Sequence, residues 1–298
     1  MKKILKLILI ALMIVVVIFA VTIVKGIFSF TSNDDEDDFS ADDLSYDNEI
    51  KKVNEDEILF LLTGVDDDGA EYGTRTDTMM LVKANKDTKT VDIISIPRDT
   101  RCYVDGSLDK INAAHSYGGI DLTISTIRDF LGIDLDYYVK VSFDSVVDTI
   151  DAMGGVDIDV SEDIANAMEI EPGVHTFNGK QALDYVRFRK GYANADLGRI
   201  STQQDFIKQV LVQAMSPKKF LKWPKIFDTL SSGMSTNIPK SEILSFAFAF
   251  RNLESENMNS YTLPGEGEYI DGVSYFVAYP EETMELRDEI LYDYVILN

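Results

Sequence analysis

Basic residues and sulfur are scarce in this chain. Among 298 residues there are one cysteine, two histidines and 28 Lys plus Arg, set against 51 Asp plus Glu, so the net charge is -23. The single Cys102 excludes both an intramolecular disulfide framework and a cysteine-based zinc site. His115 and His175 do not complete a zinc site without carboxylates, and they read as hydrogen-bonded or surface residues. The acid excess excludes sequence-independent nucleic-acid binding, because neutralising phosphates needs a basic face that this chain lacks. What is present is 45% apolar residues, enough to bury a substantial core.

The N-terminus sets the expected compartment. Residues 7 to 24 carry no charge, a run long enough to cross the hydrocarbon core as a helix. Lys2, Lys3 and Lys6 precede it, so residues 1–6 are expected in the cytoplasm, 7–25 as a single-pass transmembrane signal anchor, and the remainder outside. A cleavable signal peptide would have a shorter apolar core and a small-x-small site, for which Ala20 alone is a weak match. Residues 26–56 read as an extracytoplasmic tether. Within them, positions 34 to 49 hold nine acidic residues and no basic one, and self-repulsion keeps such a run extended. The run lacks the glycine and the fixed ligand spacing of a calcium loop.

From residue 57 to 298 the pattern is that of one α/β domain. ILFLLT (58–63), TMMLVKA (78–84) and VDIISI (91–96) are short β-rich runs. IDLTISTIRDFLG (120–132) has helical spacing with Gly132 as its stop, YYVKVSF (137–143) returns as a strand, and FDSVVDTIDAMGG (143–155) is a helix ended by glycines before the strand VDIDV. Further helices are expected at 178–187, 197–215, 218–231 and 239–252, and strands at 259–263 and 273–277. Helices interleaved with strands predict a central mixed β-sheet covered on both faces.

Chemistry is expected where polar residues interrupt the apolar runs. In GVDDDGAEYGTRTDTMML, Asp66 closes one strand and Asp77 opens the next, with Arg75 beside it. Two carboxylates at strand ends suit Mg²⁺ shared with substrate phosphates, and the same stretch also reads as a solvated acidic loop. In SIPRDTRCYV, Arg98 follows a buried strand directly. In ALDYVRFRKGYANADLGRISTQQ, an extended RFR run would turn Arg187 and Arg189 to one side and Phe188 to the core, while Arg199 and Gln203 stand one turn apart on a helix. Guanidinium groups grip phosphate in bidentate fashion; the alternative is that each pairs with one of the many carboxylates.

The order LLTGVD, RTDTMMLV, SIPRDT, KINAAHSYGG, DYYVKVSFDSVVDTIDAMGGVDIDV, FNGKQALDYVRFR and D-x-GR-x-x-x-QQ resembles the LytR-CpsA-Psr family of cell-envelope proteins, from about Leu59 to Met215. The segment 216–298 looks like the part that completes the same domain. The resemblance implies a phosphotransferase that moves a glycopolymer, of the wall teichoic acid or capsular polysaccharide type, from a polyprenyl-pyrophosphate carrier to peptidoglycan. It also implies that Asp66 and Asp77 bind Mg²⁺ (or Mn²⁺). Arg75, Arg98, Arg187, Arg189, Arg199 and Gln203 match pyrophosphate-contacting positions, and Lys110 of KIN matches a basic position near the same pocket. Arg98, Asp77 and Asp99 are the catalytic candidates, with Asp77, Asp99 or a metal-bound water as the base. Asp68, His115 and Thr202 depart from residues frequent in relatives. Two other readings remain: a polyprenyl-pyrophosphate pyrophosphatase, which would use the same site but let water attack, and a membrane-anchored envelope or transcription regulator, which would need a cytoplasmic basic domain.

Overall fold

The computed structural model describes residues 56–65, 76–188, 195–216, 219 and 222–296. The expected transmembrane anchor and acidic tether lie outside them, and among the described residues no helix is long and apolar enough to cross a membrane.

Six strands form the central sheet. β1 (Glu57–Val65), β2 (Thr76–Asn85) and β3 (Thr90–Ser95) are an antiparallel run; β6 (Tyr137–Ser142), β9 (Met234–Thr236) and β10 (Met258–Thr262) join from later in the chain. The order is β10-β3-β2-β1-β6-β9. β6 lies parallel to β1, β10 lies parallel to β3, and β9 runs antiparallel to β6. Because β2 reverses direction between β1 and β3, the strands β1, β3, β6 and β10 all point the same way. Their carboxyl ends therefore meet at one edge of the sheet.

Side-chain alternation explains why both faces are covered. Leu59, Leu61, Met79, Leu81, Ile94 and Ile96 pack on one face against helix α1 (Ala113–Leu131) and helix α8 (Pro280–Ile290). Ile58, Met80, Val82, Ala84, Val91 and Ile93 occupy the other, under α5 (Ala195–Ala214) and α7 (Lys240–Ala249). A third cluster joins α2 (Phe143–Met153), the hairpin β7 (Val156–Val160) and β8 (Gly173–Phe177), α4 (Gly179–Arg187) and Phe206 of α5. Between β7 and β8 runs the short α3 (Glu162–Met168), and α6 (Trp223–Ser231) packs on α2.

Several expected boundaries move. Helix α1 begins at Ala113 rather than 120, because a helical turn precedes a kink at Gly118 and Gly119; Gly119 has φ 63 and ψ -150, which only glycine adopts without strain. The same helix stops where expected, with Gly132 left-handed at φ 64. The expected helix 218–231 is described only over Trp223–Ser231.

The expected strand at 273–277 is present, but its hairpin partner and a second hairpin earlier in the chain went unread in the sequence. β4 (Arg101–Val104) pairs with β5 (Ser107–Lys110), and β11 (Gly265–Ile270) pairs with β12 (Val273–Ala278). Each turns on Asp-Gly with both residues at positive φ: Asp105 at 48 and Gly106 at 77, Asp271 at 51 and Gly272 at 82. That is the type I′ geometry, for which Asp-Gly between short strands is itself a signal.

Candidate active site

Arg98 stands just past the carboxyl end of β3, and its backbone is held from several directions. The Arg98 carbonyl accepts from the Asn112 N–H at 3.2 Å, and the Pro97 carbonyl accepts from the Thr100 N–H at 2.9 Å and its hydroxyl at 2.6 Å. The Asp99 carbonyl accepts from Phe276 N–H at 2.8 Å, so β12 buttresses the same turn. KIN, the end of β5 and the start of α1, runs alongside: Ile111 N–H donates to the Thr100 carbonyl at 2.8 Å.

Within this frame the side chains of Arg98, Asp99 and Lys110 converge. Lys110 Nζ lies 2.9 Å from Asp99 Oδ1, and Arg98 Nε lies 3.9 Å from Asp99 Oδ2. Asp99 thus sits between two cations. All three side chains are only 20–24% exposed, at the rim of the fold rather than in bulk solvent.

Arg187 reaches the same edge by another route. Asn178 caps α4 through a reciprocal capping box with Gln181, and the Gly179 N–H donates to Asp151 Oδ1 at 2.8 Å. A Cβ on Gly179 would fall 2.1 Å from the Val147 carbonyl, so glycine is what lets α4 lie against α2. At its other end α4 finishes in Arg187, whose guanidinium carbon sits 4.6 Å from the centroid of Phe143. Phe143 follows β6 directly and approaches Gly64 near the end of β1. Arg187 therefore overhangs the β1–β6 end. β1 and β3 are two strand spacings apart, about 10 Å, which separates this end from that of Arg98.

The extended RFR run is corrected by this geometry. Arg187 is the last residue of a helix, and Phe188 after it is extended, at φ -65 and ψ 131. The capping box and the apolar stripe of Ala182 and Tyr185 prevail over the short β-like pattern. Phe188 does pack against the third core cluster, as the alternation required.

Asp77 stands at a bulge. Thr78 pairs with Gly64 and Thr76 pairs with Val65, so Asp77 is the extra residue that β2 carries at the carboxyl edge. Helix α5 carries Arg199 and Gln203 four residues apart, as expected. The side chains of Asp77, Arg199 and Gln203, and the whole of Asp66, Arg75 and Arg189, lie outside the described residues.

The neighbouring Gln204 was not singled out in the sequence. Its side-chain amide donates to Ser95 Oγ at 2.9 Å and to the Tyr261 carbonyl, with Thr262 Oγ1 at 3.4 Å. It clamps α5 onto the carboxyl ends of β3 and β10. One more feature marks this edge: Thr63 Oγ1, Thr76 Oγ1 and Asn112 Oδ1 are buried without a hydrogen-bond partner. Unsatisfied buried polar atoms are uncommon, and a bound water or ion is one of the explanations for them. Among the described residues no group of three or more His, Cys, Asp or Glu converges to hold a metal.

An open mixed sheet with arginine, lysine and aspartate beyond the carboxyl ends of its parallel strands makes this an α/β protein, and such sheets receive ligands outside those ends. The chain belongs to the LytR_cpsA_psr family, whose model matches residues 24–290. The polyisoprenyl-teichoic acid–peptidoglycan teichoic acid transferase TagU of Bacillus licheniformis is 29% identical over 240 residues, 80% of this chain and 78% of the relative. The biofilm regulatory protein A of Streptococcus mutans is 32% identical over 268 residues, 80% of this chain and 65% of that protein. Among solved structures, Bacillus subtilis TagV superposes with a TM-score of 0.70 at 29% identity, covering 80% of this chain and 98% of TagV. TagT bound to LIIa-WTA superposes at 0.69 with 28% identity, covering 83% and 94%.

Proposed function

We propose that the chain is a membrane-anchored phosphotransferase that moves a glycopolymer of the wall teichoic acid or capsular type from a polyprenyl-pyrophosphate carrier to a hydroxyl of peptidoglycan. The observation that carries this is the gathering of Arg98, Lys110 and Arg187 at the carboxyl edge of four parallel strands in a chain of net charge -23. Such a concentration of cations against the overall charge suits a pyrophosphate. The teichoic acid transferases among its relatives support the choice of reaction.

In this reading the acceptor hydroxyl oxygen attacks the phosphorus that bears the polymer. The bond from that phosphorus to the bridging oxygen breaks, polyprenyl monophosphate leaves, and the acceptor's proton passes to a carboxylate. Arg98, Arg187 and the expected partners Arg75, Arg189, Arg199 and Gln203 grip the non-bridging oxygens, where charge shifts during transfer. Asp99, already held at 2.9 Å by Lys110, orients the cations rather than accepting the proton. Asp77 is left as the carboxylate for that role.

Asp66 and Asp77 would hold Mg²⁺ or Mn²⁺. The fit is the chemistry of the donor set: a hard cation takes carboxylate oxygens, Asp66 follows β1 directly, and the bulge sets Asp77 at the same end of the sheet. When bound, the ion would neutralise phosphate charge. The anchor at 7–25 places the N-terminus in the cytoplasm and the domain outside, where carrier and peptidoglycan meet.

The test is reconstitution of the purified chain with a polyprenyl-pyrophosphate-linked teichoic acid labelled in the polymer. Label appearing on peptidoglycan, with polyprenyl monophosphate released in equal amount, is the expected result. Release of polyprenyl monophosphate at the same rate without any acceptor, with the labelled polymer left free as its phosphate, would instead make it a pyrophosphatase.

A further inference from the structure

The hairpins β4–β5 and β11–β12 together build a surface that adjoins the transfer site and shares Lys110 with it. On β4, Arg101 and Tyr103 alternate with Cys102 and Val104, and the latter two are buried in the core. Arg101 and Tyr103 therefore face outward, as do their cross-strand partners Lys110 and Leu108. Tyr103 is 68% and Leu108 43% exposed. β12 lies beside this hairpin through a parallel bridge between Thr100 and Phe276. Phe276 is buried, so Tyr275 turns to the outer face. Its ring centroid is 5.7 Å from the Arg101 guanidinium carbon and 5.8 Å from Lys110 Nζ.

Two features give this face a chemical direction. The first is charge: Arg101 makes no ion pair with any described carboxylate, although the chain holds 51 acidic residues. A guanidinium left open in so acidic a protein suits an incoming anion, and its planar fork binds phosphate or carboxylate in bidentate fashion. The second is shape: exposed tyrosine rings present flat apolar faces with a polar tip, which suits stacking against sugar rings. Lys110 belongs both to this face and to the Asp99–Arg98 turn, so the surface is continuous with the candidate pyrophosphate site.

We propose that the outer face formed by Arg101, Tyr103, Leu108 and Tyr275 is a docking track for the anionic glycopolymer of the donor, beyond its pyrophosphate. The proposal rests on the transferase reading for its substrate class. The polymer leaves the phosphorus at Arg98, passes Lys110, and lies along the hairpin with phosphodiester groups at Arg101 and sugar or polyol units against Tyr275 and Tyr103. Along a strand, Arg101 and Tyr103 are spaced by about 7 Å, so one short repeat spans both.

The test has a binding arm and a turnover arm, with the full chain in detergent. The binding arm titrates lipid-free poly(glycerol phosphate) of defined length into the wild type and into the Arg101→Gln/Tyr103→Ala double variant. Micromolar to millimolar binding that weakens tenfold or more in the variant, and falls with added salt, is expected. The turnover arm compares two lipid pyrophosphate donors, one bearing only its first sugar unit and one bearing many polymer repeats. The variant should raise KM severalfold for the long donor and leave the short donor unchanged. Unaltered polymer binding in the variant, equal loss on both donors, or tighter binding of an uncharged oligosaccharide of N-acetylglucosamine than of polymer would each overturn the track. Thermal unfolding of the variant at the wild-type temperature confirms its fold, and Arg101→Lys, which keeps the charge, should recover part of the affinity. The binding arm needs no transfer, so an inactive enzyme would count against the transferase reading while the titration still decides this surface.

Discussion

Replacing Arg98 should be the most damaging single change among the basic residues. Its backbone is pinned by hydrogen bonds to Asn112 and through the Pro97–Thr100 turn, and its Nε stands 3.9 Å from an Asp99 that Lys110 also holds. A cation so fixed needs little reorganisation when negative charge grows on the leaving phosphate. Two unit charges about 4 Å apart near a protein surface attract by about 4 kcal/mol, of which only the increase between ground and transition state accelerates the reaction. Losing one preorganised donor of this kind costs on the order of 10² to 10³ in rate. Because Asp99 offsets part of the Arg98 charge, the expected loss for Arg98→Ala lies toward 10². Arg98→Lys keeps the charge without the planar fork and should recover only part of it. The assay is turnover of a lipid-linked pyrophosphate donor by Arg98→Ala, Arg98→Lys, Arg187→Ala and Arg199→Ala. If Arg98→Ala kept most of its activity while the Arg187 variant lost its own, the electrostatic centre would lie at the β1–β6 end instead.

Replacing Asp66 and Asp77 together by Ala should abolish transfer while the circular dichroism spectrum stays native; undiminished transfer by that variant in the presence of a chelator would remove the metal from the mechanism. Gln204→Ala strips the Ser95 hydroxyl and the Tyr261 carbonyl of their buried donor and should destabilise the domain by about 1–3 kcal/mol, read from the urea midpoint at constant slope. The Cys102 thiol is pushed up to about 12 by burial and by the nearby Asp109 charge, so at pH 8 it stays protonated and should resist iodoacetamide until the fold opens. Labelling in native buffer at the rate of a free thiol, followed by intact mass, would contradict that burial.

Much of this architecture is legible in the sequence because each face of the sheet repeats its own rule. Leu59 and Leu61 face one core and Ile58 the other, and runs such as VDIISI are apolar on both sides because helices cover both. Gly132 and Gly154 end their helices in the left-handed conformation that the patterns predicted. The hairpins were harder to read because their outward residues interrupt the apolar alternation: Arg-Cys-Tyr-Val and Ser-Leu-Asp-Lys look like loop when only hydrophobicity is followed. The Asp-Gly dipeptides held the information, but through backbone conformation rather than burial. Arg187 shows the opposite case. Its three-residue neighbourhood suggests a strand, whereas the longer pattern that predicted a helix over 178–187 holds, and that helix, capped at Asn178, delivers it. Gln204 escaped notice because nothing local distinguishes it from Gln203; what differs is a partner on β3 that lies 109 positions away.

The position of β10 in the sheet has a consequence for how the domain comes into being. β3 pairs with Met258–Thr262, and the Asn259–Asp92 contact spans 167 residues of chain. Contacts of such separation form slowly, because a long loop must close before the pairing rewards it. A chain emerging N-terminus first exposes the open edge of β3, with Val91, Ile93 and Ile94 beside it, until residue 262 has appeared. Unpaired apolar edges of that kind recruit other strands. Folding therefore has to wait for nearly the whole polypeptide, and a product truncated before 258 would be left with a permanent adhesive edge.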